Sequence, residues 1–270
     1  MKSKTSSVPY LLWMLIFIVV PLGLVVFFAF TDKSGQFSMN NLFRVGEYSQ
    51  VLGRSIWLAF IATIVCLVIA YPLAYILSRK SERKQHTMLT LVMLPMWMNF
   101  LLRTYAWMTI LEKNGLINRF LANFGIGPLS MINTQGAVVL GMVYNYLPFM
   151  ILPLYSIMTK IDGKVIEAAQ DLGADSVQVF RRVLFPLSMP GVTTGIAMVF
   201  VPAVSTFIIS RMLGGGSNLL IGDLIELQFL GNAYNPNLGA AISLVLMVII
   251  LLCMSLTNQF DREGKEDMII

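Results

Sequence analysis

Residues 161–186 are the most informative segment of the chain, and they read IDGKVIEAAQDLGADSVQVFRRVLFP. Asp162 is placed to cap a first helix, because a side-chain oxygen at that position accepts a backbone N–H of the first turn. Gly173 falls where such a helix ends in a left-handed residue. Asp175 and Gln178 have the spacing of a capping box at the start of a second helix. The segment therefore predicts two short helices that meet at a sharp angle, which we call the hairpin.

The charge of the surrounding segment, residues 159–190, indicates what the hairpin contacts. Each predicted helix carries an apolar stripe, so the hairpin is amphipathic. Helices that lie on a lipid surface are usually rich in Lys and Arg on their polar face. This segment instead balances four basic and four acidic side chains: Lys160, Lys164, Arg181 and Arg182 against Asp162, Glu167, Asp171 and Asp175. A protein partner is therefore favoured over a lipid surface.

The whole chain has the composition of a protein that crosses a membrane several times. Of its 270 residues, 57% are hydrophobic and 12% are charged, and the mean hydropathy is +0.75. An ordinary soluble domain is about 25% charged. The composition excludes an ordinary soluble enzyme, a disordered chain and a small disulfide scaffold.

Six apolar stretches meet or approach the roughly 20 residues that a spanning helix needs. They form one transmembrane domain over residues 1–270, with spans at about 9–31, 55–77, 88–111, 137–158, 191–212 and 239–257. The third span is the weakest, because Arg103 interrupts it. Gly191 and Gly195 give the fifth span a G-x-x-x-G pair, a pattern that favours close helix packing.

Lysine and arginine are distributed unevenly between the two sides of the predicted membrane. Twelve of the 19 lie at the two termini and in loops 78–87 and 159–190, while seven lie toward the opposite side, in the alternate loops or within the predicted spans. Positive charge is retained in the cytoplasm. Both termini, and loop 159–190 between spans four and five, are therefore predicted to be cytoplasmic. This distribution also accounts for the net charge of +5 without nucleic acid as a partner.

Side chains suited to catalysis or metal binding are sparse in the sequence. His86 is the one histidine and lies in a basic loop, while Cys66 and Cys253 lie within apolar runs. A single histidine rules out an H-E-x-x-H metal site, and a serine nucleophile would lack a histidine base within the membrane. A G-x-x-x-x-G-K-[ST] phosphate loop is also missing from the sequence. We therefore expect no catalytic residue, no metal site and no cofactor on this chain.

The hairpin resembles the EAA loop, which marks the membrane subunits of binding-protein-dependent ABC importers. The matching residues are Glu167, Ala168, Ala169, Gly173, Leu184 and Pro186. The resemblance implies the type I ABC importer permease fold, an all-α membrane fold of six transmembrane helices. It also implies that the matching residues form a coupling helix that docks on a cytoplasmic ATPase dimer. ATP and magnesium would bind to that ATPase, where hydrolysis would take place.

A wider resemblance points to one branch of this family. The runs LLRTYAW at residues 101–107 and NGLIN at residues 114–118 resemble permeases of the spermidine/putrescine branch, above all its B-type subunits. This implies a subunit of the bacterial inner membrane that forms half of a polyamine pathway. The implied partners are a second, related permease subunit, a periplasmic substrate-binding protein and membrane lipid. A different small solute within the same family is the alternative.

A polyamine is a flexible multivalent cation, so carboxylates and aromatic faces are the groups expected along its path. Near the predicted outer ends of the spans these groups are Tyr105, Trp107, Tyr144, Tyr146, Asp223 and Glu226. An aromatic belt at the membrane interface, together with ordinary loop charges, is the alternative interpretation.

A secondary transporter is the remaining alternative for the function of the chain. Such proteins often carry ionisable side chains within their spans, and these are nearly absent from the interiors of the six predicted spans. The low charge of the spans favours a conduit whose energy source lies on a partner.

Overall fold

The protein is mainly helical in the part of the chain that its structure, a computed structural model, describes, namely residues 8–231 and 233–266. One isolated antiparallel bridge, between Thr31 and Phe37, closes a loop within that part. We number the helices in chain order: α1 Val8–Ala29, α2 Asn40–Ser78, α3 Glu82–Met93, α4 Phe100–Leu111, α5 Leu116–Ala122, α6 Gln135–Met158, α7 Gly163–Asp171, α8 Ser176–Val204, α9 Ile208–Gly214, α10 Ile221–Leu230 and α11 Pro236–Glu266.

Among the described residues, five helices are long and apolar enough to cross a membrane: α1, α2, α6, α8 and the first part of α11, Pro236–Ser255. They correspond to predicted spans one, two, four, five and six. Helix α2 has 39 residues. At about 1.5 Å per residue it is about 58 Å long, so it extends well beyond a hydrocarbon core of about 30 Å.

The third predicted span, 88–111, is divided into two helices. A 3-10 turn over Leu94–Trp97 prolongs α3, and the chain is then extended at Met98 and Asn99 before α4 begins. The Asn99 side chain caps α4 by accepting a hydrogen bond from the Leu101 N–H at 2.8 Å. The interruption that was expected at Arg103 thus lies at Asn99. The Asn99 side chain caps the start of a new helix, whereas the single charged side chain of Arg103 does not interrupt that helix. Arg103 itself lies within α4.

The fifth predicted span, 191–212, also has different limits. Helix α8 begins at Ser176, inside the predicted loop, and continues past Pro186 and Pro190 to Val204. The helix accommodates both prolines. A π-helical turn at Phe180–Leu184 precedes Pro186, and such a turn changes the hydrogen-bond register where the proline ring would meet the preceding turn. The second hairpin helix and span five are therefore one continuous helix.

The core of the protein lies where α2, α6 and α8 pack against each other. Small residues on α2 line this contact and are completely buried: Ala59, Ala62, Cys66, Ala70 and Ala74. The close packing predicted for the G-x-x-x-G pair is confirmed on α8. A Cβ added to Gly191 would lie 3.0 Å from the Pro153 carbonyl oxygen, and one added to Gly195 would lie 2.5 Å from the Met150 sulfur. Helices without large side chains at their contact approach closely, which is how membrane helices associate.

Replacing Gly191 with valine is expected to lower the thermal stability of the protein in detergent by about 1–3 kcal/mol, because the new side chain meets the α6 backbone. The midpoint of thermal denaturation measures this loss. Gly23→Val in α1 is the matched control, since no atom of the described residues lies within 4 Å of its added Cβ. Equal midpoints for the two variants would contradict the packing described for α6 and α8.

Candidate functional site

The two helix starts of the hairpin have the predicted caps. The Asp162 carboxylate accepts a hydrogen bond from the Lys164 N–H at 3.0 Å, at the start of α7. At the start of α8, the Asp175 carboxylate accepts from the Gln178 N–H at 2.7 Å, while the Gln178 amide oxygen accepts from the Asp175 N–H at 3.2 Å. The predicted N-cap and the predicted capping box are therefore confirmed.

Gly173 forms the corner between α7 and α8 in a left-handed conformation with φ +86°. Its N–H donates to the Gln170 carbonyl at 2.8 Å, and the next N–H, of Ala174, donates to the Ala169 carbonyl at 3.1 Å. This pair of bonds is a Schellman motif, in which the residue at the corner needs a positive φ. Glycine at position 173 therefore fixes the angle between the two helices.

The six residues matching the EAA pattern fall into two groups. Glu167, Ala168 and Gly173 are exposed and Ala169 is half-buried, so these four lie near one another on the free side of α7 and its corner. Leu184 is buried and Pro186 is half-buried, both within the continuous helix α8. The first group is available to a partner, whereas the second group packs the hairpin onto the protein.

Exposed apolar side chains accompany the first group, and sequence reasoning had placed them only in general stripes. Leu172, next to the corner, is 90% exposed, and Val177 is 61% exposed. Both side chains are available for contact with a partner. The signal in the sequence was a leucine directly before the terminating glycine.

A cavity of about 400 Å³ separates the hairpin from α2. Its walls are mainly apolar and aromatic, and they comprise Tyr71, Pro72, Tyr75, Ile166, Gln170, Ser176, Val179, Phe180 and Leu184. On one side of the cavity, the hydroxyls of Tyr71 and Ser188 share a hydrogen bond of 2.8 Å that joins α2 to α8. Helix α7 therefore does not pack on α2 along its whole length.

The predicted aromatic residues do not form a single cluster. Trp107 and Tyr144 pack edge to face, with ring centroids 5.4 Å apart. Tyr105 is 55% exposed on α4. Tyr146 is buried on α6, and its hydroxyl donates to the Pro202 carbonyl at 3.3 Å. Tyr146 is thus separate from the other three in its role, because it contacts the end of α8.

Tyr146 lines a second cavity, of about 270 Å³, at which both helix breaks meet. Phe100 begins α4 just after the break at Asn99, and Ser205 to Phe207 form the break between α8 and α9. All the lining residues are Phe100, Tyr146, Pro202, Ser205, Thr206, Phe207 and Ile208. Discontinuous helices that meet at a cavity are a common way to build a solute site within a membrane. The sequence signals were Asn99 and the Ser205-Thr206 pair after Pro202.

Arg103 lies beside this cavity, with its guanidinium 5.9 Å from the centre of the Phe100 ring. The side chain is 8% exposed, and its Nε and Nη1 atoms are enclosed without a hydrogen-bond acceptor among the described residues. An enclosed charge without a paired group is costly. The buried guanidinium of Arg103 is therefore expected to lower the stability of this region.

The two predicted carboxylates have protein partners in the structure. Asp223 is completely buried, and one carboxylate oxygen accepts the Leu220 N–H at 2.8 Å, which caps α10. Its other oxygen has no hydrogen-bond partner among the described residues, and burial raises the pKa of the carboxyl. Glu226 forms an ion pair with Arg211 of α9. Neither carboxylate faces the cavity at Tyr146.

The structure favours a capping role for Asp223 over direct contact with a solute. Asp223→Asn retains an acceptor for the Leu220 N–H and removes the negative charge. Burial of that charge lowers the stability of the parent at neutral pH. This loss of stability disappears as the pH falls and the carboxyl becomes protonated. We expect this variant to keep at least about half of the uptake activity, with a denaturation midpoint at pH 7 equal to or above that of the parent. Asp223→Leu, which lacks the acceptor, should lose about 1 kcal/mol. Loss of uptake in Asp223→Asn at unchanged stability would instead support the solute contact.

The similarity to known proteins extends over most of the chain. The family described as the inner membrane component of binding-protein-dependent transport systems matches residues 67–263, which include the hairpin and the cavity at Tyr146. The spermidine/putrescine transport system permease protein PotB of Haemophilus influenzae is 39% identical over 251 residues, covering 89% of this chain and 87% of that protein. PotB of Escherichia coli K12 is 37% identical over 247 residues, covering 88% and 90%.

Two solved structures are similar to this chain in fold. A bacterial ABC transporter involved in import of the acidic polysaccharide alginate matches with a TM-score of 0.80 at 17% identity, over 96% of this chain and 94% of that chain. The alginate transporter in complex with a pentasaccharide-bound periplasmic protein matches with a TM-score of 0.80 at 16% identity, over 96% and 93%. At these identities the likeness concerns the helical fold alone.

Proposed function

The chain belongs to the family of inner membrane components of binding-protein-dependent transport systems, and we propose that it forms one half of a polyamine pathway. It is a multi-pass inner membrane permease with the type I ABC permease fold. The observation that carries the choice of solute is the 39% identity to a spermidine/putrescine permease over 89% of the chain. ATP and magnesium would bind to a separate ATPase subunit.

The proposed topology has six crossings with both termini in the cytoplasm. Helices α3 and α4 together would form the remaining crossing, the third in chain order. This crossing is broken at Asn99, next to the cavity at Tyr146. The bias of Lys and Arg toward loops 78–87 and 159–190 supports a cytoplasmic position for the hairpin.

The free side of α7 is proposed to dock on the ATPase. The exposed Ala168 and the half-buried Ala169 allow close approach, and the exposed Leu172 and Val177 supply apolar contact area. Interface anchors of this kind contribute much of the binding energy when they enter a pocket on the partner. Glu167 adds a carboxylate that can pair with a cation of the ATPase.

A second, related permease subunit is proposed to cover part of α1. None of the most apolar 18-residue stretch of α1 is buried within this chain, and α1 packs mainly against α11. Lipid would contact the remainder of that surface. A periplasmic binding protein would deliver the solute at the end of the bundle opposite the hairpin.

The cavity at Tyr146 is proposed as part of the solute path. Its aromatic faces suit the ammonium groups and methylene chain of a polyamine. Tyr146→Leu retains bulk but removes the ring, and we expect it to reduce uptake about tenfold. Tyr10→Leu, on the exposed surface of α1, is the control and should leave uptake unchanged. Equal uptake in both variants would place the path elsewhere.

Reconstitution with the ATPase, the second permease and the binding protein tests the proposed function. ATP hydrolysis would be measured across spermidine, putrescine, an amino acid and a neutral sugar, each with its binding protein. Stimulation by spermidine or putrescine alone is the expected result. Stimulation by another solute would redirect the substrate assignment within the family, and hydrolysis that never responds to a solute would reject the ATPase coupling.

A further inference from the structure

Gln85 joins three chain segments at the hairpin end of the protein. Its side-chain amide donates to the carbonyl oxygens of Ser78 at 3.1 Å and Lys80 at 2.8 Å. These bonds supply donors to carbonyl groups at the C-terminal end of α2. Its amide oxygen accepts the hydroxyl of Tyr155, on α6, at 2.7 Å. Gln85 is half-buried, whereas the residues on either side of it in α3 are exposed. One side chain thus connects α2, α3 and α6.

Arg79 extends this connection to the hairpin. It follows α2 directly, and its Nη1 donates to the Ile161 carbonyl at 3.2 Å. The guanidinium also lies 5.5 Å from the centre of the Tyr75 ring, which holds it in place. Ile161 directly precedes Asp162, the cap of α7. The start of α7 is therefore bonded to the end of α2.

The cavity beneath α7 makes these bonds important for transmitting motion. About 400 Å³ of space separates α7 from α2 along the middle of the helix. A push on the free side of α7 reaches α2 directly only at the start of the helix, where Arg79 bonds to Ile161, and otherwise through α8, where Phe180 packs against the Tyr71 ring. It reaches α6 through the chain at residues 159–162, and the bond between Gln85 and Tyr155 adds a polar link at the hairpin end of α2 and α6, which also pack together in the core.

We propose that Arg79, Gln85 and Tyr155 form a brace that transmits displacement of α7 to the spanning helices α2 and α6. They are positioning residues, since they act through the helices and need not touch the solute or the ATPase. The inference rests on the proposed docking of α7. It assigns a transport function to side chains outside the EAA pattern.

The test uses the complete reconstituted transporter with Gln85→Leu and Tyr155→Phe. Gln85→Leu removes all three hydrogen bonds, and Tyr155→Phe removes only the one between α3 and α6. The readout is the amount of spermidine transported per ATP hydrolysed. We expect this ratio to fall at least about fivefold in Gln85→Leu and by a smaller factor in Tyr155→Phe, with hydrolysis within about twofold of the parent. Because both changes break the same bond, the double variant should resemble Gln85→Leu.

Two matched controls remove polar groups from the same region without touching the brace bonds. Tyr75→Phe keeps the ring that contacts Arg79. Thr87→Ala removes a hydroxyl that bonds within its own helix, to the Arg83 carbonyl at 3.0 Å. Both should keep the ratio of the parent.

Three outcomes separate the brace from the proposed function. If the parent shows no ATP-driven uptake, the proposed function fails. If the parent is coupled and both variants keep its ratio, the brace is rejected while the proposed function stands. Equal losses of hydrolysis and uptake would also reject the brace, because they indicate a general structural role. Tyr155→Phe carries the test if Gln85→Leu does not fold.

Discussion

Gly173→Pro is expected to abolish ATP-driven uptake while the protein still inserts in the membrane. The residue has φ +86°, and proline is locked near −65°, so the corner between α7 and α8 must change. Proline also lacks the N–H that donates to the Gln170 carbonyl. Helix α7 would then point away from the position in which its free side is proposed to meet the ATPase. Uptake of spermidine by the reconstituted complex and the yield of the membrane-inserted chain measure the two effects.

Gly173→Asn tests whether coupling needs the left-handed conformation of the corner or glycine itself. Asparagine tolerates a left-handed conformation better than most other side chains, and in the described part of the chain no atom lies within 4 Å of a Cβ added at this position. This variant should retain uptake, reduced by no more than about fivefold, because only part of the 1–2 kcal/mol cost of the left-handed conformation remains. If Gly173→Pro supports full uptake, the geometry of the corner is not needed for coupling.

Glu167→Arg is expected to have the second large effect, loss of the ATPase from the purified complex. Glu167 is exposed on the free side of α7, and reversal of its charge would place like charges together at an interface, which costs several kcal/mol. Uptake should fall below about 1% of the parent, since about 2.7 kcal/mol is a hundredfold change. Copurification of the ATPase with this chain measures docking directly.

The control for Glu167→Arg is Glu47→Arg, the same charge reversal at an exposed position in the 3-10 turn near the start of α2. It should leave both copurification and uptake unchanged. A complex of Glu167→Arg that retains its ATPase and transports at the parental rate would reject the docking surface on α7.

The local chemistry of the hairpin was predictable from the sequence, whereas its continuation was not. The caps at Asp162 and Asp175 and the left-handed Gly173 depend on backbone groups within a few residues, so spacing alone specifies them. The continuity of α8 through Pro186 and Pro190 depends on a π-helical turn before them, and no local rule predicted that turn.

The two helix breaks show a different limit of sequence reasoning. Apolar content averaged over about 20 residues locates a span but does not detect a short extended segment within it. Asn99 is a residue type that favours an N-cap, but the predicted interruption was assigned to the charge of Arg103. The meeting of both breaks at Tyr146 is a property of tertiary packing, and one sequence does not specify which helices face each other.

The carboxylates illustrate the same limit at the candidate solute path. Asp223 and Glu226 were selected because polyamines are cations, a chemical argument without positional information. In the structure, Asp223 caps α10 and Glu226 pairs with Arg211, so the local demand for hydrogen bonds and charge partners accounts for both. Tyr146 was selected by the same argument and does line a cavity.

Uptake of labelled spermidine into proteoliposomes that contain either an active or a hydrolysis-deficient ATPase shows whether transport through this chain is driven by ATP hydrolysis. The vesicles would hold this chain, the second permease and the ATPase, with the binding protein and ATP supplied on the appropriate sides. We predict accumulation that requires ATP and disappears with the hydrolysis-deficient ATPase. Accumulation that persists with that ATPase and follows an imposed ion gradient would contradict the account and indicate a secondary transporter.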